Sequence, residues 1–246
     1  MGFYDQIIEL EGEIALNLLK NVMKDLPTLI PICENIAEID VCLSGYHFSQ
    51  NYDCYIPKID DFICISRSFY PPLKSSINND YYVDKENLLN IITGPNMSGK
   101  STYLKQFAYL TILTQIGYPV TAKSAITKIF TGLYVSFNSI RIDLECMREL
   151  LKYHTSSSLI IIDEPGKGYD VDILTAFYSV FFDKLMITKP IIFFITHHYG
   201  IFKLNKCKKL NYLQVEQFKV KFGISKSRTG FKICEENIPK IYLDWL

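Results

Sequence analysis

Leu88-Leu89-Asn90-Ile91-Ile92-Thr93-Gly94-Pro95-Asn96-Met97-Ser98-Gly99-Lys100-Ser101 is the stretch on which the fold of this chain turns. Leu88 to Thr93 reads as a short buried strand and Lys100 to Gly117 as a helix. Between them Gly94 to Ser101 satisfies G-x-x-x-x-G-K-[ST] in the strand-to-helix setting the motif requires. Glycines let such a loop curl so that successive backbone N–H groups point at β- and γ-phosphate oxygens, and the helix N-terminus adds its partial positive charge. Lys100 supplies a full charge and the Ser101 hydroxyl a ligand for Mg²⁺. The expectation is a loop that holds the phosphates of a nucleoside triphosphate.

Working outward, Leu159 to Ile162 and Ile191 to Ile195 are continuous apolar runs of the kind buried inside a parallel sheet. Strand, glycine loop, helix, strand, helix and strand in that order predict an α/β fold with crossover helices. The first run ends in Asp163-Glu164, where Asp163 is expected to hold the Mg²⁺ shell. Glu164, one residue on and pointing to the opposite side, is placed to orient and deprotonate an attacking water. The second run ends in Thr196-His197-His198, where His197, and less readily His198, can touch the γ-phosphate or the water; adjacent histidines ending a strand can equally be solvated turn residues. GTP-binding proteins select their base through N-K-x-D, and the nearest match here, Asn205-Lys206-Cys207-Lys208, ends in the wrong charge. The nucleotide expected is therefore ATP.

Upstream, Ile7, Leu10, Ile14, Leu18 and Val22 recur at steps of three and four, an amphipathic helix over residues 5–26 that Pro27 is expected to end. A second helical stretch runs through Ile32, Ile36, Ile39 and Leu43, so residues 1–48 read as either an antiparallel hairpin or the stump of a longer helical region. Residues 49–246 then form the phosphate-binding domain. Its first part, residues 50–87, suggests short strands, including Phe62-Ile63-Cys64-Ile65, and a surface loop after Tyr70-Pro71-Pro72. After Lys209 the alternation of Leu213, Val215, Phe218, Val220 and Phe222 with polar residues predicts a small C-terminal β-rich part, a hairpin or meander with one wet face.

The 246 residues are 48% hydrophobic, enough to bury a sizeable core, and 26 basic side chains balance 26 acidic ones. No global field draws the chain to nucleic acid or an anionic membrane, so any such contact needs a local patch. Seven scattered cysteines without a C-x-x-C pair suit reduced thiols in a cytosolic or nuclear protein and argue against zinc. The N-terminal residues lack a signal-peptide pattern, and no apolar run approaches the roughly 18 residues that span a bilayer, so a soluble, intracellular protein without membrane contact is expected.

The extended segment from Ile92 through Gly94-Pro95-Asn96-Met97-Ser98-Gly99-Lys100-Ser101-Thr102-Tyr103 to Gln106 resembles the Walker A region of the MutS family of DNA mismatch-repair and meiotic-recombination ATPases. Gln115-Ile116-Gly117, Asp163-Glu164-Pro165-Gly166-Lys167-Gly168 and Phe194-Ile195-Thr196-His197 agree with that family in order and spacing, and Ile36 to Val41 is similar to its A-E-L-D segment. The resemblance implies a P-loop ATPase of ABC type, like MutS domain V, that works as a dimer. Each nucleotide is then held between one subunit's P-loop (Gly94 to Thr102) and the other's signature segment, with Asn96 and His197 on the γ-phosphate. It further implies a MutS-type partner, in a heterodimer rather than a homodimer, DNA reached through the complex, and a nuclear location. Met97-Ser98 together with Gly166-Lys167-Gly168 resembles the meiotic crossover branch, a heterodimeric clamp on recombination intermediates.

Departures from the pattern are equally plain. The chain has no room for the family's mismatch-reading, connector and clamp parts. The expected S-T-F-M signature becomes Asn138-Ser139-Ile140-Arg141, Gly168-Tyr169-Asp170-Val171-Asp172 replaces a Thr/Ser-rich loop, and the last dimerisation element is shortened after Asn237-Ile238-Pro239. Between Lys203 and Lys232 nine basic residues face one acid, Glu216. They fit either a phosphate-backbone contact or lysines blunting strand edges, and Tyr212, Phe218 and Phe222 at alternating core positions weigh toward the edges. Rival readings are an ABC-type ATPase of another system, against which no L-S-G-G-Q is present, and a partly degenerate subunit that binds ATP but hydrolyses it poorly. The adenine pocket has no matching motif: Phe69 and Tyr70 sit where the family has R-H-P, without matching it.

Overall fold

A computed structural model describes residues 2–137, 144–165, 170–197 and 210–224, and the chain divides into two compact units, residues 1–51 and 52–246. The first unit is one helix, α1 (Phe3–Asn51), of 49 residues. Pro27 does not end it, contrary to the expectation of two helices: both Pro27 and Pro31 lie inside. Spaced four apart, they forfeit only the bonds that their N–H groups would have made to the carbonyls of Met23 and Pro27, and more than four helical turns on either side carry the helix across the gap. Within this unit the apolar row Ile7, Leu10, Ile14 and Leu18 is exposed. No helix among the described residues is long and apolar enough to cross a membrane.

The second unit is mixed α/β. Its six-stranded sheet has the order β10-β9-β4-β8-β7-β6, built from β4 (Leu89–Thr93), β6 (Gly132–Phe137), β7 (Ser158–Asp163), β8 (Ile191–Ile195), β9 (Leu210–Glu216) and β10 (Lys219–Phe222). All neighbours are parallel except β10, which returns antiparallel to β9. A smaller sheet, order β1-β5-β2-β3, comprises β1 (Lys58–Ile59), β2 (Ile63–Ser68), β3 (Asn79–Val83) and β5 (Ser124–Thr127). Strands β4, β7 and β8 are buried at every position because helices cover both faces of the large sheet.

On one face, α3 (Leu144–Tyr153) and α4 (Val171–Leu185) pack Met147, Leu150, Leu174, Tyr178, Phe181 and Phe182 onto Leu89, Ile91, Ile160, Ile162, Ile192 and Phe194. On the other lies α2 (Lys100–Gln115), wedged between the two sheets: Phe107 packs at a tilt on Phe193 of the large sheet, centroids 4.7 Å apart, and stacks on Tyr81 of the small one at 4.8 Å. A helix enclosed on two sides has little use for a polar face, and ten of its sixteen residues are buried. Buried Thr111 and Thr114 satisfy their hydroxyls on the carbonyls of Phe107 and Leu110.

The C-terminal hairpin expected after Lys209 forms, as β9 and β10. Its strand β9 pairs directly with β4, so the hairpin extends the main sheet, with Leu213 and Val215 buried. Phe218 and Phe222 are 50% and 67% exposed rather than core, because Phe218 occupies the turn and β10 is the sheet's edge. Lys219 and Lys221 are exposed on that edge strand, a placement that suits lysines blunting an edge. The other seven basic residues of this stretch lie outside the described residues, as do Gly166 to Tyr169, His198, the 138–141 signature segment and the 237–239 turn.

Candidate functional site

Strand β4 delivers the chain into the 94–99 loop through two glycines that no other residue replaces easily. Gly94 has φ +158°, and a Cβ there would stand 2.5 Å from the Val215 carbonyl oxygen of β9. Gly99, φ +98°, precedes α2, and its Cβ would meet Phe218 Cδ1 at 2.5 Å. Pro95 is half-buried, Asn96 and Met97 stand exposed at the apex, and Ser98 is buried beneath with its hydroxyl making no hydrogen bond among the described residues. Met97 also adopts positive φ, 61°.

Lys100 opens α2 and folds back under the loop: its buried Nζ donates to the carbonyls of Gly94 at 3.0 Å and Pro95 at 2.8 Å. Burial lowers its pKa from the ordinary lysine value, while Glu164 and Asp163 pull it upward. Strand β7 ends beside it. The strand carrying the acids is not the immediate neighbour of β4: β8 lies between, which sets the two strand ends about 10 Å apart, room for a phosphate and its metal.

Among the described residues, Asp163, 1% exposed, keeps both carboxylate oxygens buried without a hydrogen bond of good geometry. Burial pushes its pKa up, and the adjacent Ser101 hydroxyl opposes that. Two oxygen-only acceptors and a hydroxyl at the start of a helix suit a hard divalent cation such as Mg²⁺, so these residues fit the metal the motif implies. Glu164 leaves the strand with φ 46°, a left-handed conformation rare for a residue of its kind, fixed by its N–H donating to Ile195 O at 3.2 Å. Its Oε1 lies 2.7 Å from His197 Nε2 and 3.9 Å from Lys100 Nζ. An ionised carboxylate only accepts, so Nε2 carries the proton of that bond. Pairing of Asp163 with Ile195 across β7 and β8 is what brings Glu164 and His197 to the same end of the sheet.

Residues 90–236 match the family described as MutS domain V. The chain belongs to the MutS domain V family. It is 33% identical to the DNA mismatch repair protein MutS of Acetivibrio thermocellus over 68% of its length and 22% of that protein. It is 32% identical to the MutS of Finegoldia magna over 82% of the chain and 26% of that protein, and 26% identical to the MutS of Staphylococcus epidermidis over 99% and 32%. The chain thus spans between a fifth and a third of the length of these curated relatives.

Within this MutS domain V, Lys100, Ser101, Asp163, Glu164 and His197 come together at one end of the large sheet, the group picked out in the sequence. Thr102 lines a cavity of about 270 Å³ beside the loop, with Leu73, Ile77, Asn79, Gly99 and Phe218. No sequence spacing connects segments 73–79, 99–106 and 218, and the only local signal was an aromatic residue in a two-residue hairpin turn. Phe69 and Tyr70 lie elsewhere: Phe69 packs on Tyr52 and Tyr70 edge-on to Tyr109.

Proposed function

We propose that this chain binds ATP with Mg²⁺ at the 94–102 loop and hydrolyses it, as the ATPase part of a MutS-type subunit that acts on DNA in mismatch repair within a dimer. The observation that carries the reading is the meeting of Lys100, Ser101 and the buried Asp163 carboxylate where a glycine loop opens a helix. In this reading the loop N–H groups and Lys100 cradle the β- and γ-phosphates, with Asn96 at the apex reaching the γ-phosphate. Mg²⁺, held by Ser101 and Asp163, would neutralise charge on the phosphoryl oxygens. Glu164 accepts the proton of the attacking water, and His197, bonded to Glu164 Oε1, orients that base and senses the γ-phosphate. The 270 Å³ cavity beside Gly99 receives the adenine, with the half-exposed Phe218 ring as its platform.

A MutS-type partner completes the site across the dimer, as a heterodimer, with DNA engaged through the complex in the nucleus. Met97-Ser98 with Gly166-Lys167-Gly168 favours a meiotic recombination role as the second reading. Single-turnover hydrolysis with and without a MutS-type partner tests the proposal. Glu164→Gln is expected to lower the rate by about 10²–10³-fold while ATP still binds. A rate unchanged by Glu164→Gln refutes the assignment of the base, and a wild-type rate at background even with the partner supports the degenerate-subunit alternative instead.

A further inference from the structure

The turn between β9 and β10 is two residues long, Gln217 and Phe218, closed by the Glu216–Lys219 pair, and both have positive φ, 48° and 63°. That is the mirror-image hairpin turn, whose usual occupants are Asn-Gly because side chains resist the conformation. Here neither position is glycine, so something outside the hairpin must hold the strained form. The holding contacts are specific. Phe218 N–H donates to Ser98 O of the phosphate loop at 2.9 Å. Asn79, 93% buried at the start of β3, donates from Nδ2 to Phe218 O at 3.0 Å and to Ile77 O at 3.2 Å, and its Oδ1 accepts from Val220 N–H at 3.1 Å. Two carbonyls on one side and an N–H on the other leave only one orientation for the amide. The backbone of Asn79 is fixed in turn: its carbonyl accepts from Ser68 Oγ at 2.8 Å, and Gln106 Nε2 of α2 donates to the same hydroxyl at 2.8 Å, both side chains being buried.

The ring held this way presses against Gly99 and forms one wall of the cavity that Thr102 also lines. We infer that Asn79 is a positioning residue for base recognition: it clamps the Gln217-Phe218 turn so that the Phe218 ring stands as a fixed platform beside the phosphate loop. This rests on the reading of that loop and cavity as an ATP site. Asn79 bonds to the turn and to Ile77 and reaches the phosphate loop only through that turn, so it bears on affinity for the base more than on phosphate binding.

Binding of Mg²⁺-ATP and of Mg²⁺ with inorganic tripolyphosphate, measured on the full chain, separates the two ends of the site. Asn79→Ala and Phe218→Ser are each expected to weaken ATP by roughly tenfold, the loss of one base–aromatic stack, and to leave tripolyphosphate within about twofold. The double variant is expected to be no weaker than the weaker single one, because the two residues act as one unit. Should Asn79→Ala not fold, Asn79→Asp replaces it with the same expected pattern, keeping the acceptor for Val220 N–H but setting an oxygen against the Phe218 carbonyl. Multiplying losses in the double variant, or equal losses of ATP and tripolyphosphate, overturn the inference. Wild-type chain that binds tripolyphosphate but not ATP overturns it as well, whereas binding of neither ligand removes the phosphate-loop reading beneath it.

Discussion

The two ends of the candidate site are built by opposite means. The phosphate end comes from one short loop and the tips of two parallel strands, so its residues lie within eight positions of one another in the loop and at consecutive positions at the end of β7. The base end is assembled from a loop at 73–79, the flank of α2 and a hairpin tip 139 residues beyond Asn79, joined by Asn79 and the packing of Phe218 on Gly99. The first needs backbone geometry and tolerates almost no change. The second needs distant pieces to arrive together, joined by the Asn79 amide and the Phe218 turn.

Breaking the phosphate end is expected to have the largest effect. Lys100→Ala removes the only full positive charge inside the loop and should lower kcat/KM for ATP by on the order of 10³-fold, abolishing tripolyphosphate binding as well. Loss of ATP binding with tripolyphosphate retained would contradict the division between the two ends.

Next come the glycines, which sharpen the comparison because each touches one end. Gly94→Ala drives a Cβ against the Val215 carbonyl, backbone that cannot turn aside, and is expected to cost about 3 kcal/mol in a denaturant melt. Gly99→Ala, at φ +98°, sets a Cβ 2.5 Å from the ring that the turn holds in place, so it too is expected to destabilise the chain and to weaken ATP more than tripolyphosphate. Equal losses of ATP and tripolyphosphate in Gly99→Ala would contradict the division between the two ends.

A smaller effect separates stability from chemistry at Asp163. Burial holds this carboxyl above its ordinary 3.8, so over a range of pH the folded chain keeps a proton that the unfolded chain has released. Stability from that proton is fully present below 3.8 and is lost as pH rises through the folded-state value. Asp163→Asn, which removes the charge, is therefore expected to raise the melting temperature of the nucleotide-free chain at pH 7 while abolishing Mg²⁺-dependent hydrolysis. The gain should shrink as pH falls toward 3.8, and thermal melts across that range check it. Tyr70→Phe is expected to do least: it packs against Tyr109, away from the cavity, and the KM for ATP should stay within about twofold.

The same contrast explains what could be read beforehand. Strands β4, β7 and β8 announced themselves because a strand buried on both faces has to be apolar throughout, and the loop because phosphate binding fixes Gly94, Gly99, Lys100 and Ser101 at set spacing. Pro27 misled because its effect depends on what flanks it: here two prolines one turn apart fall within a long helix that continues past both. Phe218 read as a strand core position because alternation alone does not reveal that the chain turns there with two strained residues. The place of β8 between β4 and β7 was hidden, since strand order is set by crossovers and not by any single segment.

Calorimetric titration of ATP into the full chain, with Mg²⁺ and with EDTA, for wild type and Ser101→Ala, tests the central claim most directly. The account requires saturable one-site binding by the wild type that weakens strongly without Mg²⁺, and a Ser101→Ala variant whose affinity no longer responds to the metal. Equal ATP affinity with and without Mg²⁺ in the wild type would contradict it.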